Sequence, residues 1–537
     1  MSAGKGEPGF LGSISTAESG NFLDRLSSPL AVFTYWVGFG LIFGAIQVLS
    51  SSTLTMDAAV TAETVQRHLA PAYQIRNPPL FDWMYFFVQT VFGDGILAHS
   101  VLRYTLIAAA GILYYFAFLQ VGCNRRLAAA FSYSLIFFVW LASDIHYHFT
   151  HSLPLLAVGL AVWVCAIAYI ERQSIGLAWL LGLLIGLGIV SKWSFPLPLA
   201  GAAVAFLVDR RARAAFAQSK ALIIPVAAII PIAPVAYWLF SIDANLVFYV
   251  HEVLVVEPTP YVERLGLALW KYLTSIFLFL LPWPIFIGAI AFQTRLGATE
   301  RGSIDPNGRL AASMTFWTIG LGLAGVVALG VDNMGMRYMF PVLLIAPVAM
   351  AAWLAPRVDD TEFARITVVV ALVVTIVAIV IRVWSFHIVD GIFPANSRQR
   401  VPYERLADEL TFRGLSNAQF ITSGDRDAGN LMAQLPNARA ISVNSVRVEP
   451  PAPDDALRRE CVALWGGNDW KLSGEPRPLR TPAALVPIVA AATGAEEDIV
   501  VDWPSPFYGE DRRSVWRIVW LPDDAPACLE ARGLSAK

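Results

Sequence analysis

Long apolar stretches, separated by short polar segments, occupy most of the chain before residue 389. A helix needs about 20 apolar residues to cross the hydrocarbon core of a bilayer, so such stretches predict membrane-spanning helices. We find eleven, at about 30–50, 98–120, 127–142, 151–170, 175–191, 194–208, 221–240, 268–292, 312–331, 338–354 and 366–386. Several are short or contain Pro and Gly, which spans tolerate when neighbouring helices pack against them.

The pattern changes after Ile388. Residues 395–537 alternate short apolar runs (AQFITSGD, ARAISVNS, CVALWGG and VWRIVWL) with polar or helical stretches, as expected of a soluble α/β domain. The predicted fold is therefore a polytopic α-helical membrane protein of about 11 transmembrane helices with a C-terminal soluble α/β domain. Its predicted parts are an N-terminal tail (1–29), a membrane domain (30–388) and the α/β domain (389–537).

The first loop of the membrane domain, residues 51–97, is too long for a simple connection between two helices. Its segment TAETVQRHLA predicts a short amphipathic helix at the membrane surface. A second predicted interfacial helix, Leu80 to Phe92, follows Pro78 and Pro79, which favour an extended entry and a helix start. Both helices could simply cap the bundle, but an acid at the end of a span, here Asp57, is usually solvated or functional.

Composition agrees with a membrane protein. The chain is 56% apolar and 15% charged, well below the quarter that is usual in soluble domains. A net charge of −2 argues against a nucleic-acid partner. The four cysteines form no CxxC pair, so neither a zinc nor a redox motif is visible.

The distribution of Lys and Arg predicts the orientation. With the N-terminus in the cytoplasm, the inner loops carry twelve Lys and Arg residues and the outer loops six, as the positive-inside rule expects. An odd number of spans then places the C-terminal domain outside, which in a bacterium is the periplasm. The predicted location is a bacterial inner membrane.

Most unusual polar residues fall on the predicted outer side. Three carry the main hypothesis: Asp57 as a base, with Lys192 and Arg337 as cations that hold a phosphate. Each cation has an alternative, since Lys192 could snorkel to lipid head groups and Arg337 could anchor the interface beside Tyr338. Further candidates for a substrate pocket are Glu63, Asn77, Asp82, Asp144, His146, His148, His151, His251 and Glu252.

A divalent metal is an open question. The spacing of His146, His148 and His151 occurs in metal-binding loops but fits no single helix face, and hydrogen bonds to sugar hydroxyls explain these residues equally well. Among all candidates, Asp57, His251 and Glu252 are the preferred metal ligands. His251 and Glu252 lie in a long loop that could also be a structural lid.

The chain resembles membrane glycosyltransferases of the GT-C type, in the family of protein O-mannosyltransferases, lipid A aminoarabinose transferases and rhizobial galacturonosyltransferases. Four motifs carry the resemblance in the family's order: MDAAVTAE, NPPLFDW, SKW and MRYMFP. The C-terminal domain is also similar, with YERLADEL followed by GDRDAGNLMAQLPNARAI. The resemblance covers nearly the whole chain.

The resemblance implies transfer of a sugar from a polyprenyl-phosphate donor to an envelope acceptor, lipid A or lipopolysaccharide, at the periplasmic face. Asp57 would take the acceptor's proton, and Lys192 and Arg337 would neutralise the leaving phosphate in one inverting displacement. The chain departs from many relatives at Ala58, where they have a second acid, at Asn77, and near Ser152. A uronic acid donor would favour an extra cation, for which Arg76 or Arg264 is available.

Two other functions compete with this one. A lipid-sugar flippase would place ionisable groups near the bilayer midplane in two related halves, whereas here no repeat is found and these groups gather at one face. A scaffold that has lost catalysis fits the missing acid at Ala58. In the C-terminal domain, Cys461 and Cys528 could form a disulfide in an oxidising periplasm, and Gly424, Asp425 and Gly429 indicate a Rossmann-like strand-to-helix turn without a full nucleotide-binding motif.

Overall fold

The structure is a computed structural model that describes residues 22–245, 260–294, 303–331, 335–386, 401–448, 460–467, 479–490, 492, 494, 496–504 and 511–531. The helices before the α/β domain are α1 (Phe22–Leu26), α2 (Pro29–Ser50), α3 (Met56–Val65), α4 (Leu80–Phe92), α5 (Ile96–Gln120), α6 (Arg125–Ser134), α7 (Val139–Ala142), α8 (Ser152–Arg172), α9 (Ile175–Ile189), α10 (Pro196–Val208), α11 (Arg210–Phe216), α12 (Ile223–Ser241), α13 (Tyr261–Leu280), α14 (Trp283–Thr294), α15 (Pro306–Leu329), α16 (Met339–Leu343), α17 (Ala346–Leu354) and α18 (Asp360–Trp384). Short 3-10 helices lie at Leu135–Phe137, Asp144–His146, Ser219–Leu222, Met336–Tyr338 and Ala355–Arg357.

Six helical segments among the described residues are long and apolar enough to cross a membrane, and two bent helix pairs raise this number to eight. The bends are 51° between α13 and α14 and 55° between the α16 and α17 segments. Pro282 lies at the first break, where a proline removes a backbone hydrogen bond. The chain is thus a multi-pass helical membrane protein, as predicted, while the count of eleven spans is not confirmed.

The remaining predicted spans are helical but short. Helices α9 and α10 are apolar and have fewer residues than a full crossing requires. The segment predicted at 127–142 is divided into α6, a 3-10 turn and α7. Each of these three segments is therefore made of helices shorter than a full crossing.

Side-chain contacts define two ends of the helical bundle. At the domain end, which carries the α/β domain, the hydroxyl of Thr53 donates to the carbonyl of Val401 at 2.7 Å. At the opposite end, Arg126 Nε lies 2.7 Å from Asp24 Oδ1. Most helices that start at the opposite end have a side-chain N-cap there, which satisfies a free backbone N–H. These caps are Ser28, Asn124, Ser174, Asp209, Asp305 and Asp359.

The C-terminal domain is built on one mixed five-stranded sheet in the order β2-β1-β3-β5-β4. Its strands are β1 (Gln419–Thr422), β2 (Arg439–Ser442), β3 (Cys461–Gly467), β4 (Glu496–Pro504) and β5 (Asp511–Leu521). Its helices are α19 (Tyr403–Phe412), α20 (Asp425–Gln434), α21 (Val486–Val489) and α22 (Pro526–Ala531). Strands β2, β1 and β3 are parallel, and β5 is antiparallel to both β3 and β4.

Several predictions for this domain are confirmed. Four of the described strands coincide with the apolar runs of the sequence, and the fifth described strand, β4, is missed. The turn at Gly424 leads from β1 into α20, which connects to the parallel strand β2. Cys461 and Cys528 form a disulfide with their Cα atoms 6.1 Å apart. The predicted domain boundary at 388/389 lies outside the described residues.

The first loop differs in part from its prediction. Helix α4 has the predicted bounds, and its Phe87 and Val91 are exposed on one apolar face. The segment TAETVQRHLA does not form an interfacial helix. Instead α3 ends at Val65 and is largely buried against α20 of the C-terminal domain, because its small residues Ala58, Ala59 and Ala62 permit close packing.

Candidate functional site

Asp57 lies at the domain end on the first turn of α3. Its side chain is half-buried, and its Oδ2 accepts a hydrogen bond from the backbone N–H of Phe149 at 3.0 Å. Phe149 has a φ of 73°, a conformation that is uncommon for a bulky residue. The backbone at Phe149 thus helps to fix the direction of the Asp57 carboxylate.

Lys192 lies in the short turn between α9 and α10. Its Nζ donates to Ser152 Oγ at 2.7 Å and to the backbone carbonyl of Arg337 at 3.4 Å. Burial and the nearby Arg337 lower the pKa of Lys192 to about 7, and the negative charge of Asp57 partly opposes this shift. Lys192 is therefore close enough to both Arg337 and Asp57 to interact electrostatically.

Arg337 lies in the 3-10 helix at the start of the bent α16–α17 segment. Its side chain is exposed, its guanidinium carbon lies 5.0 Å from the centre of the Tyr338 ring, and its Nη2 is 3.2 Å from the Tyr338 hydroxyl. Lys192 Nζ lies 5.7 Å from the same ring. Within the part of the chain that the structure describes, neither cation forms an ion pair with a carboxylate. Two adjacent, unpaired cations can bind a phosphate.

Asp82 and His151 form a buried pair beside Lys192. His151 Nε2 lies 3.8 Å from Asp82 Oδ1, and the Asp82 side chain is inaccessible to solvent. Burial raises the pKa of Asp82 to about 8, while burial and the charges of Lys192 and Arg76 lower the pKa of His151 to about 3. Both shifts favour a protonated acid next to a neutral imidazole. His151 also precedes Ser152, which holds the Lys192 amine.

Other sequence candidates are directed elsewhere. Glu63 Oε1 accepts from the backbone N–H of Ser442, so this acid contacts the C-terminal domain rather than the surroundings of Lys192. His146 is fully buried, stacks on Phe43 with ring centres 4.5 Å apart, and lies 3.0 Å from the Tyr104 hydroxyl. Those contacts explain His146 as a core residue of the bundle.

The histidine side chains of the 144–151 segment point in different directions. His146 faces the core, His151 faces Asp82, and His148 is exposed next to the half-buried Asp144. Asn77 is half-buried. His251 and Glu252 lie outside the described residues. Within the described ranges, no three His, Cys, Asp or Glu side chains are grouped as a metal site requires.

Two buried arginines were missed by the sequence argument. Arg103 on α5 donates to the carbonyl of His146, and Arg382 on α18 donates to Gln47 Oε1. Arg382 also lies against the ring of Tyr147 at 4.1 Å. All these partners are uncharged. The signal was present in the sequence, because a charged residue inside a predicted span is a candidate functional residue.

Arg103 is close enough to Asp57 to interact with it electrostatically. Asp57 therefore lies near two groups of cations, Lys192 with Arg337 and Arg103 with Arg382. The sequence proposes Arg76 and Arg264 as extra cations for a uronic acid. Arg76 is exposed, and its charge is near enough to lower the pKa of His151. Arg264 packs against Gly330.

An apolar cavity of about 480 Å³ runs within the bundle beside α10. Phe195 and Pro198, which follow Lys192 closely in sequence, line it together with Trp163 and Ile185. Arg213 also lines the cavity, on the side toward the opposite end of the bundle. Its walls suit a hydrocarbon chain, since almost all of the lining side chains are apolar.

Comparisons with known proteins agree with this architecture. The family model of the dolichyl-phosphate-mannose-protein mannosyltransferases matches residues 76–238. The lipopolysaccharide core galacturonosyltransferase RgtA of Rhizobium johnstonii is 27% identical over 400 residues, which are 73% of this chain and 78% of that protein. RgtB of the same organism, also a lipopolysaccharide core galacturonosyltransferase, is 21% identical over 503 residues, 91% of this chain and 97% of that protein.

One solved structure shares the fold over most of its length. It is ArnT from Cupriavidus metallidurans bound to undecaprenyl phosphate, with a TM-score of 0.52 and 11% sequence identity. The match covers 90% of this chain and 97% of that chain. At this identity, the likeness establishes a common fold that includes both the helical bundle and the C-terminal domain.

Proposed function

We propose that this chain, which is a multi-pass membrane glycosyltransferase of the GT-C type, transfers a sugar from a polyprenyl-phosphate carrier to an envelope acceptor. The observation that carries the proposal is the proximity of Asp57, Lys192 and Arg337 at the domain end of the bundle. A carboxylate beside two cations without carboxylate partners suits a reaction that needs a base and a phosphate leaving group.

The proposed reaction is a single displacement. An acceptor hydroxyl attacks the anomeric carbon, a new C–O bond forms, and the bond between that carbon and the carrier phosphate breaks. Asp57 accepts the proton of the hydroxyl, and Lys192 with Arg337 neutralises the charge that returns to the phosphate. Attack from the side opposite the leaving phosphate inverts the anomeric configuration. This arrangement needs one acid, so Ala58 does not exclude catalysis.

The carrier lipid is proposed to enter the apolar cavity beside α10. Its lining begins near Lys192, so a phosphate held by Lys192 and Arg337 would leave the attached hydrocarbon chain next to Phe195 and Pro198. A carrier in the membrane keeps its head group at the surface, which agrees with a site at the ends of the helices. We propose that this end faces the periplasm of a bacterium and that the N-terminus is cytoplasmic, as the distribution of Lys and Arg predicts.

The proposed donor sugar is a uronic acid and the proposed acceptor is the core of lipopolysaccharide, as the relatives' names suggest. The buried Arg103 and Arg382 support an anionic sugar, because both guanidinium groups have only neutral partners among the described residues. Burying a charge without a counter-ion is costly, and a sugar carboxylate would supply that counter-ion near Asp57.

The test is reconstitution in vesicles with a labelled polyprenyl-phosphate sugar. We expect transfer of label to a lipopolysaccharide acceptor together with release of the carrier phosphate, and faster transfer from a uronic acid donor than from its neutral hexose counterpart. Movement of the labelled lipid across the bilayer without phosphate release would instead identify a flippase. Neither transfer nor movement would favour an inactive scaffold.

A further inference from the structure

The segment that leads into α3 is held by the C-terminal domain. Thr53 donates its hydroxyl hydrogen to the carbonyl of Val401 at 2.7 Å, and the backbone N–H of Leu54 donates to Asn430 Oδ1 at 2.7 Å. Gln434 Nε2 donates to the carbonyl of Ser52 at 2.9 Å. Asn430 and Gln434 are both on α20, so this one helix fixes the backbone directly before Asp57.

The other end of α3 is held by the same domain. The carboxylate of Glu63 accepts from the backbone N–H of Ser442 at 2.8 Å, and Arg447 Nη1 donates to the carbonyl of Thr64 at 2.7 Å. Just beyond the helix, Arg67 Nη2 donates to the carbonyl of Met432 at 2.8 Å. Every one of these bonds engages a buried or half-buried group of the 52–67 segment.

Between these two ends, α3 and α20 touch through their backbones. A Cβ atom added at Gly429 would lie 2.1 Å from the carbonyl oxygen of Ala59 and 2.5 Å from its carbonyl carbon. Backbone atoms cannot rotate away as a flexible side chain would, so a larger residue at 429 would push the two helices apart. Ala59 is fully buried and lies two residues from Asp57 on the same short helix.

We propose that the C-terminal domain is a positioning element for the catalytic base: α20 sets the place of α3 and thereby aims the Asp57 carboxylate at the acceptor. This inference rests on the proposed function, in which Asp57 is the base. The domain does not touch the reacting atoms in this account, and Lys192 and Arg337 are held by other elements. A displaced base should therefore slow the chemical step more than it weakens donor binding.

The principal test is Gly429→Ala. A glycine-to-alanine change inside a helix usually favours the helix, so a loss of activity isolates the contact with Ala59. We expect kcat for transfer to fall about 10–100-fold, the effect of a misplacement near 1 Å, with KM for the donor changed less than about twofold. The matched control is Gly424→Ala in the same domain, where an added Cβ meets no atom within 4 Å.

A second pair of variants tests the hydrogen bond that precedes α3. Asn430→Ala removes the acceptor for the Leu54 N–H and should lower kcat, while Asn430→Asp keeps an oxygen acceptor there and should restore much of it.

Hydrogen exchange gives a readout that does not need activity. Gly429→Ala should speed the exchange of amides 56–65 in α3 and leave those of α4 unchanged, with the Cys461–Cys528 disulfide intact as a check on the domain fold. Unchanged α3 exchange, or an unchanged kcat in an active enzyme, would overturn the inference. If the wild-type protein shows no transfer but Gly429→Ala still speeds the exchange of the α3 amides, the result would count against the proposed function alone.

Discussion

The two ends of the helical bundle use charge in opposite ways. At the opposite end, Arg126 Nε bonds to Asp24 and its Nη1 donates to Thr361, while Asn124 donates to Asp360 at 2.6 Å. These groups are exposed, and each ion or amide has a partner on another helix. The network ties α1, α6 and α18 together at the membrane surface, which is a structural use of polar residues.

At the domain end, several cations lack a carboxylate partner among the described residues, and two of them are buried. Lys192 and Arg337 have no carboxylate partner among the described residues, and Arg103 and Arg382 are 5% and 3% exposed with neutral partners only. Unpaired buried charges destabilise a folded protein, so their accumulation at one end needs a reason other than stability. The proposed binding of an anionic lipid-linked substrate would provide that reason.

The largest expected effect comes from Asp57→Asn. The amide keeps an oxygen that can accept from the Phe149 N–H but cannot take a proton, so the transfer rate should fall about 10²–10⁴-fold. The matched control is Asp360→Asn, an acid that is likewise in the first turn of a helix but at the opposite end. Transfer kinetics in vesicles should show no more than a small change for the control. An active Asp57→Asn protein would remove the base from the mechanism.

The next effect comes from Arg337→Gln. Loss of one charge from the proposed phosphate site should reduce kcat about 10²–10³-fold, as removal of a group that stabilises transition-state charge does. Arg357→Gln is the control at the opposite end of the same bent span, where Arg357 also lies over an aromatic ring, 4.6 Å from that of Trp353. Similar losses in the two variants would show that the span itself, rather than its charge at the domain end, is needed.

The sequence predicts the opposite end better than the domain end because of how each is stabilised. Spans and N-caps depend on residues close together in the chain, such as Ser28 with Ala31, although Arg126 bonds to residues that are distant in sequence. The strands of the C-terminal domain are likewise visible as apolar runs. Strand β4 was missed because its acidic start, EEDIVVDWP, hides its alternation.

The site depends on contacts between residues far apart in the chain. Asp57, Lys192 and Arg337 could be named from their motifs. Only the fold shows that the Phe149 N–H donates to Asp57 and that Lys192 donates to the carbonyl of Arg337. Glu63 was a candidate for the pocket because it falls on the predicted outer side, yet the helix turns its side chain toward Ser442. Neighbours in sequence on a helix can face different domains.

A smaller effect is expected in the pH dependence of phosphate binding at the domain end. The pKa of Lys192 is lowered to about 7, so its amine is charged below that pH and neutral above it. Affinity for a polyprenyl phosphate should thus weaken up to about tenfold for each pH unit above 7. In Lys192→Arg the side chain stays charged, and titration of binding should lose this pH dependence. Equal pH profiles for the two proteins would contradict a phosphate contact at Lys192.

The smallest expected effect lies at the opposite end, in Asp24→Asn. The Arg126–Asp24 pair is 34% and 41% exposed, so water and salt screen it and its loss should lower the free energy of unfolding by only about 0–1 kcal/mol. Arg126 also keeps its bond to Thr361 at 2.8 Å. Thermal unfolding in detergent and transfer kinetics in vesicles should both remain close to wild type. A large loss of transfer would mean that the two ends are coupled through α5 and α18, and the division between a structural end and a chemical end would then fail.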